Sequence, residues 1–354
     1  GAGNDTIFAG DDADTIWGQG GDDQLYGQND GDTFIVQNAF GNDTIIGGEG
    51  VGSGTDFDTV DLSAVTSAVI VTYSGAEAGT ITDGTHTITF SEIERLILGE
   101  GTDTVNASGS TVGLDIVMAG GDDAFAGSAG ADSVSGDAGD DSLVGDAGAD
   151  TLSGGLDRDV LDGGDGADLL DGGEGGDSLL GGAGDDTLIG QGGIDTLWGG
   201  AGDDSMDGGD DRDRFVLEDA LGDDIVSGGE GGNDADTLDL SATTSGLTWD
   251  LTGADGEAGT LTDGIDTVTF SQIETIELGG GDDTLRLADG GGARAVSGFE
   301  PPLEDGTEGH VGQDVLDVSG LTSDGSTPIT VSDVTVTDDG SGNAVLSFPL
   351  GGSI

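Results

Sequence analysis

Aspartate recurs every nine residues in two stretches of this chain, and this period constrains the fold more than any other feature. The first stretch has four such aspartates, and the second has eleven without a slip in phase. They are Asp5, Asp14, Asp23, Asp32, Asp123, Asp132, Asp141, Asp150, Asp159, Asp168, Asp177, Asp186, Asp195, Asp204 and Asp213. A short internal period of this kind predicts a solenoid of stacked coils rather than a globule around one core.

An apolar residue follows each of these aspartates at a distance of two positions. The apolar set is Ile7, Ile16, Leu25, Phe34, Phe125, Val134, Leu143, Leu152, Leu161, Leu170, Leu179, Leu188, Leu197, Met206 and Phe215. A three-residue strand centred on each would point that side chain inward, because neighbouring side chains alternate across a strand. The next turn then lies on the opposite edge, so one coil contains two repeats, or eighteen residues.

The repeated unit, seen best in GGDGADLLD at 163–171, follows the pattern G-G-x-G-x-D-x-U-x, where U is apolar. About fifteen units in phase resemble the hemolysin-type calcium-binding nonapeptide repeat of RTX proteins. The resemblance implies an all-β chain, in which calcium-loaded parallel β-roll (β-helix) blocks alternate with small β-rich modules. It also implies multiple Ca²⁺ ions, roughly eleven or more. Each would be held by turns one coil apart, such as those of Asp123 and Asp141, with all fifteen repeat aspartates as ligands.

Calcium chemistry accounts for the residue types in the unit. Ca²⁺ takes six to eight oxygen ligands from carboxylates and backbone carbonyls, and glycine lets a turn adopt positive φ and aim its carbonyls at one point. Burying one apolar side chain per unit contributes roughly 2 kcal/mol, whereas ordering each of nine residues costs about 1–2 kcal/mol. Folding is therefore expected to require the ion.

The charge of the chain excludes several classes of partner. Asp+Glu number 73 against six Lys+Arg, giving a formal net charge of -67. Nucleic acids and anionic membranes need a cationic surface and are excluded as partners. Roughly eleven ions would reduce the charge only to about -45 (67 − 22). Association of such rods is therefore expected only through further calcium bridges. No cysteine is present, and no apolar run is long enough for a membrane span.

Some units depart from the pattern in their turns. Aspartate replaces a turn glycine at Asp137, Asp146, Asp157 and Asp211, and an arginine precedes the ligand aspartate at Arg158 and Arg212. These exchanges put the affinity of single sites in doubt, but not the fold. For the arginines two interpretations stay open, a solvated side chain or a partial substitute for the charge of an ion.

A second, longer period of about 180 residues indicates a tandem duplication. GAGNDTIFAG opens the chain and GAGDDTLIGQ begins at 182, with Trp17 and Trp198 at equivalent places. The predicted organisation is a truncated β-roll block at 1–36, a β-rich module at 37–117, a β-roll block at 118–216, a duplicate module at 217–288, and a linker with a terminal β-module at 289–354.

The two modules alternate polar and apolar residues around Asp-Gly turns, which is typical of hairpins. Phe90 with Ile93, and Phe270 with Ile273, are expected to form a small core. Whether each module is a separate globule or a degenerate continuation of the solenoid stays open. A cap for the array and a recognition element are both compatible with the pattern.

No catalytic constellation stands out, so we expect that the chain is not an enzyme. His86 has Asp266 as its counterpart in the second copy, and His310 lies in a predicted loop. No metalloprotease, hydrolase-elbow or phosphate-loop motif occurs. Two further acidic pairs, Asp58 with Asp61 and Asp236 with Asp239, suit either extra calcium sites or exposed turn caps.

These features lead to two functional hypotheses. The first is a secreted structural or adhesive segment, exported by type I secretion, that folds on calcium outside the cell or at its surface and contacts a cell-surface or matrix polymer. The second is a carrier module of a larger secreted protease, lipase or epimerase whose catalytic domain lies outside this chain. Because Gly1 falls inside a repeat, we expect a fragment cut from a longer protein.

Overall fold

The computed structural model describes most of the first three hundred residues and short strands beyond them. The described residues are 1–48, 57–219, 221–229, 231, 235–251, 258–279, 284–288, 295–297, 315–320, 335–338 and 344–347. They contain β-strands and turns without a helix, which confirms the predicted all-β class. The chain forms two compact units, Gly1–Gly182 and Ala183–Ile354.

The first unit contains nineteen strands, the last of which ends one residue beyond it. They are β1 (Thr6–Gly10), β2 (Thr15–Ile16), β3 (Gln24–Gln28), β4 (Thr33–Gln37), β5 (Thr44–Ile46), β6 (Thr59–Ala64), β7 (Ile70–Gly75), β8 (Ala78–Thr82), β9 (Thr87–Ser91), β10 (Arg95–Ile97), β11 (Thr104–Asn106), β12 (Asp115–Val117), β13 (Ala124–Ala126), β14 (Ser133–Ala138), β15 (Ser142–Val144), β16 (Thr151–Leu156), β17 (Val160–Asp165), β18 (Leu169–Gly175) and β19 (Ser178–Ala183).

The second unit contains the remaining described strands. They are β20 (Thr187–Gly193), β21 (Thr196–Ala201), β22 (Ser205–Asp210), β23 (Arg214–Val216), β24 (Ile225–Ser227), β25 (Thr237–Asp239), β26 (Thr248–Leu251), β27 (Gly259–Thr262), β28 (Thr267–Ser271), β29 (Thr275–Glu277), β30 (Thr284–Ala288), β31 (Ala295–Ser297), β32 (Val315–Gly320), β33 (Thr335–Asp338) and β34 (Ala344–Ser347).

Consecutive strands of the repeats alternate between two parallel sheets, as a two-repeat coil requires. In the first unit one sheet runs β1-β3-β5-β9-β8-β7-β11-β13-β15-β17, and the other runs β2-β4-β6-β10-β12-β14-β16-β18. The register advances by one coil of eighteen residues, so that Val134 lies beside Leu152 and Leu152 beside Leu170. This arrangement confirms the predicted parallel β-roll solenoid.

The core is a file of the apolar residues that follow each aspartate. All of the predicted set except Ile7 are buried, and most have no exposed surface, as at Leu143, Leu152 and Leu161. Ile7 is half-buried and pairs with Leu25. The apolar residue two positions after each aspartate is therefore the side chain that points into the core of the solenoid.

The first predicted module, 37–117, continues the solenoid and is not confirmed as a separate globule. Strand β5 pairs in parallel with β3 and β9, and β11 pairs in parallel with β7 and β13. Between them β7, β8 and β9 form an antiparallel meander in the same sheet. Phe90 and Ile93 are buried as predicted, but they belong to the file of the solenoid core.

The second unit repeats this plan at the corresponding positions. Here β24 pairs with β28, and β28, β27 and β26 form the antiparallel meander before β30 continues the parallel ladder. Phe270 and Ile273 are buried like their counterparts. The unit begins at Ala183, beside the predicted start of the second copy at 182. The inserted meander is thus part of the duplicated design.

Part of the predicted terminal segment, 289–354, lies outside the described residues, including the proline-containing stretch 298–306. Within the described part, β31 pairs in parallel with β29, and β32 with β30. Strands β33 and β34 form an antiparallel pair. The predicted linker and the domain boundaries as a whole stay predictions.

Turn positions of the repeat keep a left-handed backbone even where glycine is replaced. Asp137 and Asp146 have φ of 68°, and Asp157 and Asp211 have φ of 77°. Aspartate tolerates this region better than most side chains, yet at a cost that glycine avoids. The predicted tolerance of the fold to these four exchanges has this geometric basis.

Replacing Asp157 by glycine is therefore expected to stabilise the folded chain by about 1 kcal/mol. Alanine at the same position removes the carboxylate but not the left-handed backbone, and it should destabilise. Thermal unfolding in saturating calcium measures both variants. If the alanine variant were as stable as the glycine variant, the effect would come from charge and not from the backbone.

Candidate metal centre

The repeat aspartates form hydrogen-bonded ladders in which each carboxylate contacts the aspartate one coil earlier. The backbone N–H of Asp123 donates to Oδ1 of Asp141 at 2.8 Å, and that of Asp141 donates to Oδ1 of Asp159 at 2.8 Å. The residue after each aspartate completes the link, since Ser142 N–H donates to the carbonyl oxygen of Asp123 at 2.9 Å. The ladder places successive carboxylates at equivalent points of neighbouring coils.

The structure brings together the predicted site residues in both ladders and buries nearly all of them. Thirteen of the fifteen are at most 3% exposed: Asp23, Asp32, Asp123, Asp132, Asp141, Asp150, Asp159, Asp168, Asp177, Asp186, Asp195, Asp204 and Asp213. Asp5 and Asp14 are half-buried because they lie in the first coil. Burial of so many carboxylates is costly unless each is paired with a positive charge.

The second carboxylate oxygen has a different environment from the first. Oδ2 is buried and accepts no hydrogen bond at Asp23, Asp123, Asp141, Asp150, Asp159, Asp204 and Asp213. In Asp141 this oxygen lies against the Cα of Gly136, where a methyl group would collide with it. In several units a glycine five positions before the aspartate leaves space for its carboxylate, as at Gly136, Gly145 and Gly154. This role is distinct from the positive φ of the following position.

Burial and mutual repulsion raise the pKa values of several ladder carboxylates. Burial, followed by the charge of neighbouring aspartates, raises the pKa of Asp141 and Asp159 to about 7 and that of Asp123 to about 6. The pKa of Asp213 also rises to about 7 for the same reasons. Two carboxylates about 4.8 Å apart in adjacent coils repel by roughly 3.5 kcal/mol at an effective dielectric of about 20. The ladder without a cation is therefore unfavourable at neutral pH.

The raised pKa values predict that acid favours folding of the calcium-free chain. A folded-state pKa of 6 to 7, against about 3.9 unfolded, means that the folded form binds more protons between these values. Its stability then rises as pH falls from 7 towards 4, and the gain is lost as pH rises through 7. Circular dichroism of metal-stripped protein should show more β structure at pH 5 than at pH 8. Equal spectra at both values would contradict the shift.

The donor set of the ladder fits calcium. It offers only oxygen, from carboxylates and turn carbonyls, which suits a hard cation. In the described part of the chain, no three acidic or histidine side chains cluster closely enough to hold an ion by themselves. An ion bound here would therefore draw most of its ligands from the carbonyls of the glycine-rich turns, with the buried aspartates supplying the negative charge.

Acidic residues outside the nine-residue phase also belong to the ladders. Asp23 N–H donates to Oδ1 of Asp43 at 2.9 Å, and Asp32 N–H donates to Oδ1 of Asp58 at 2.7 Å. The two residues of these hydrogen-bonded pairs are 20 and 26 positions apart in the sequence, compared with 18 within the regular repeats. Asp103, Asp224 and Asp236 continue the ladders in the same way. Each of them precedes an apolar residue by two positions, and this local signal identifies them without the period.

Glutamate extends two of the ladders, and apolar residues interrupt two others. Oε2 of Glu94 accepts the N–H of Asp58 at 2.5 Å, and Oε2 of Glu274 accepts that of Asp236 at 2.6 Å. Val69 and Leu114 occupy aspartate positions, where their N–H groups donate to the next carboxylates. At these two places the carboxylate therefore has an apolar residue, and not a second carboxylate, as its neighbour in the adjacent coil.

The remaining acidic candidates divide between the ladders and the surface. Asp58 and Asp236 are completely buried, so the interpretation as exposed turn caps is wrong for them. Asp61 caps a turn by accepting the N–H of Ser63 at 2.9 Å. Asp239 is paired with Arg214, whose Nη2 lies 2.5 Å from its Oδ2.

Arg158 and His86, among the arginine and histidine candidates, have contacts of their own. Arg158 is exposed and pairs with Asp140 at 3.0 Å. His86 contacts Asp83 at 3.1 Å between Nδ1 and Oδ2, and packs edge-on against Phe40. His310 lies outside the described residues.

Comparison with known proteins identifies the repeat. A family model, "RTX calcium-binding nonapeptide repeat (4 copies)", matches residues 1–34, 40–51, 119–152, 144–179 and 180–215. No curated protein matches the chain. The solved structure of the extracellular lipase LipA from Serratia marcescens is similar at 18% identity with a TM-score of 0.18, over 77% of this chain and 36% of the lipase. That likeness is too low to bear on architecture or activity. By their sequence, their carboxylate ladders and the parallel solenoid, the matched stretches of this chain are RTX calcium-binding nonapeptide repeats.

Proposed function

We propose that this chain is a calcium-dependent folding segment of an exported protein, unfolded where calcium is scarce and folded outside the cell. The observation that supports it best is the buried ladder of carboxylates at Asp123, Asp141 and Asp159, whose Oδ2 atoms accept no hydrogen bond from the described residues. A ligand that binds only the folded state stabilises it by mass action, so calcium selects the compartment in which the chain folds.

Export by type I secretion is typical of RTX repeat proteins, and we propose the same route for this chain. An unfolded chain passes a narrow channel more readily than a folded one. Calcium binding at the exit would then prevent return. The described residues include no helix with the length and apolar character of a membrane span.

Outside the cell we assign the chain a structural or adhesive role without catalysis. The tandem copies repeat the same solenoid plan without adding a new constellation of side chains in the described residues, which suits a spacer or a surface that contacts a polymer. Acidic side chains of the ladders and turn caps are used structurally, as at Asp58 and Asp61. The carrier role for an enzyme would place its catalytic residues outside this chain.

The proposal is tested by a calcium titration followed by far-ultraviolet circular dichroism. We expect a disordered spectrum in chelator and a cooperative gain of β signal with a midpoint of about 10⁻⁴–10⁻³ M calcium, the range of extracellular modules. Magnesium is the matched control, because it demands near-octahedral geometry and dehydrates reluctantly. A chain already folded in chelator, or folded equally by magnesium, would contradict the proposal.

A further inference from the structure

An exposed tryptophan borders an open cleft in the first unit. The cleft has a volume of about 420 Å³ and is lined by Trp17, Gln19, Gly20, Gln37, Asn38 and Ala39. Trp17 is 44% exposed, whereas tryptophan is highly buried on average in folded proteins. This volume lies in the range of sites for small organic ligands.

The two walls of the cleft come from equivalent turns of neighbouring coils. Strands β2 and β4 pair in parallel, with Thr15 beside Thr33, so the turns that follow them stack at one edge. Trp17 and Gln19 leave the first of these strands, and Gln37 ends the second. The stacking places the indole ring and two primary amides around one opening.

The cleft is neutral in a chain that carries a formal charge of -67. None of its lining residues is charged. Primary amides each offer a carbonyl acceptor and two N–H donors, and an aromatic face accepts an apolar surface such as the C–H face of a sugar ring. This set suits a neutral ligand with many hydroxyl groups better than an ion.

The second copy of the duplication provides an internal comparison. Its tryptophan is retained as Trp198, but Glu218 stands where the first copy has Gln37, and Gly200 where it has Gln19. The first copy has an amide where the second has a carboxylate at further positions, among them Asn4, Asn38 and Asn42 in place of Asp185, Asp219 and Asp223. At these positions the first copy therefore carries less negative charge than the second.

The exchange of Asn38 for Asp219 concerns a position with a structural role. Asn38 Oδ1 accepts the N–H of Thr66 at 3.0 Å, and Asp219 Oδ1 accepts that of Thr244 at 2.6 Å. Amide and carboxylate serve the same turn there, so neither copy needs an amide for folding. Gln19 and Gln37 are thus the positions whose amides distinguish the first copy chemically from the second, which has Gly200 and Glu218 there.

We propose that the Trp17 cleft binds a neutral saccharide, with Trp17 stacking on a sugar ring and Gln19 and Gln37 bonding its hydroxyl groups. The site rests on the proposed function only in that the chain must be folded by calcium. It would give the adhesive segment a glycan as its partner, through a cleft whose two glutamines the second copy does not retain.

The test is isothermal titration calorimetry of the full chain in saturating calcium. The probes are neutral hexasaccharides of glucose, galactose and N-acetylglucosamine, with hexagalacturonate and tetramethylammonium as charged comparisons. We expect at least one neutral probe to bind with a Kd of about 1 mM or tighter and the charged probes to bind more weakly. Trp17→Ala should weaken binding at least about tenfold and Gln37→Glu severalfold, whereas Trp198→Ala, the matched control, should leave it within about twofold.

Circular dichroism of each variant in calcium separates failure of the site from failure of the fold. A wild-type chain that does not fold with calcium overturns the proposed function. A folded chain that binds none of the neutral probes, that prefers tetramethylammonium, or that loses binding equally in Trp198→Ala overturns the saccharide site alone.

Discussion

Asp141→Asn is expected to raise the calcium concentration for half-folding at least about tenfold, which corresponds to about 1.4 kcal/mol. Asparagine keeps an oxygen that can accept the N–H of Asp123, a bond of 2.8 Å. The exchange therefore removes the negative charge at Oδ2 while preserving the ladder. Because Asp141 links Asp123 and Asp159, native mass spectrometry should also detect at least one fewer bound ion.

The same variant should have the opposite effect without calcium. Burial and the neighbouring carboxylates raise the pKa of Asp141 to about 7, so a neutral side chain at this position relieves repulsion in the calcium-free fold. Residual β structure in chelator at pH 8 should then increase. Opposite signs in the two conditions distinguish an ion ligand from a residue that only supports packing.

Asp140→Asn is the matched control, since it removes one charge at the adjacent position. Asp140 is exposed and accepts hydrogen bonds from the backbone N–H of Arg158 at 3.1 Å and from its guanidinium at 3.0 Å. We expect its calcium midpoint to stay within about twofold of the wild type, because an exposed pair contributes little. Equal shifts in both variants would mean that net charge, and not ligation, controls folding.

The repeat made most of the fold predictable, because its chemistry is local. Asp123 and Phe125 occupy the same positions in their unit as Asp213 and Phe215 in theirs, and each pair lies in a ladder and a core file. A period of nine admits one way of burying the apolar residue and stacking the turns. The departures at Asp137 and Asp157 were also tolerated as predicted, since aspartate adopts the left-handed backbone.

The path of the chain through the inserted segments was not predictable in the same way. Asp58 and Asp236 are ladder members at spacings of 26 and 23 residues, because extra residues loop out between coils while the strands keep their register. Alternation at 70–91 indicated hairpins, but it did not tell whether they pack apart or join the sheet. That choice depends on the open edges of β5 and β11, which a sequence pattern does not display.

Gly136→Ala is expected to destabilise the calcium-bound fold by about 3 kcal/mol. The added methyl group would collide with Oδ2 of Asp141 and lie 2.7 Å from the carbonyl oxygen of Gly154. The backbone of Gly136 is not left-handed, so packing alone causes the loss. Since both contacts belong to the turn region that faces the ion, we expect weaker calcium binding together with a lower Tm.

Gly75→Ala is the control for this substitution. A methyl group on Gly75 meets nothing within 4 Å, and the backbone there is not left-handed either. Its Tm should match that of the wild type. Combining Gly136→Ala with Asp141→Ala removes the carboxylate with which the methyl group collides. The double variant should therefore lose less stability than the sum of the losses in the two single variants. Strict additivity would show that the glycine and the aspartate do not share one site.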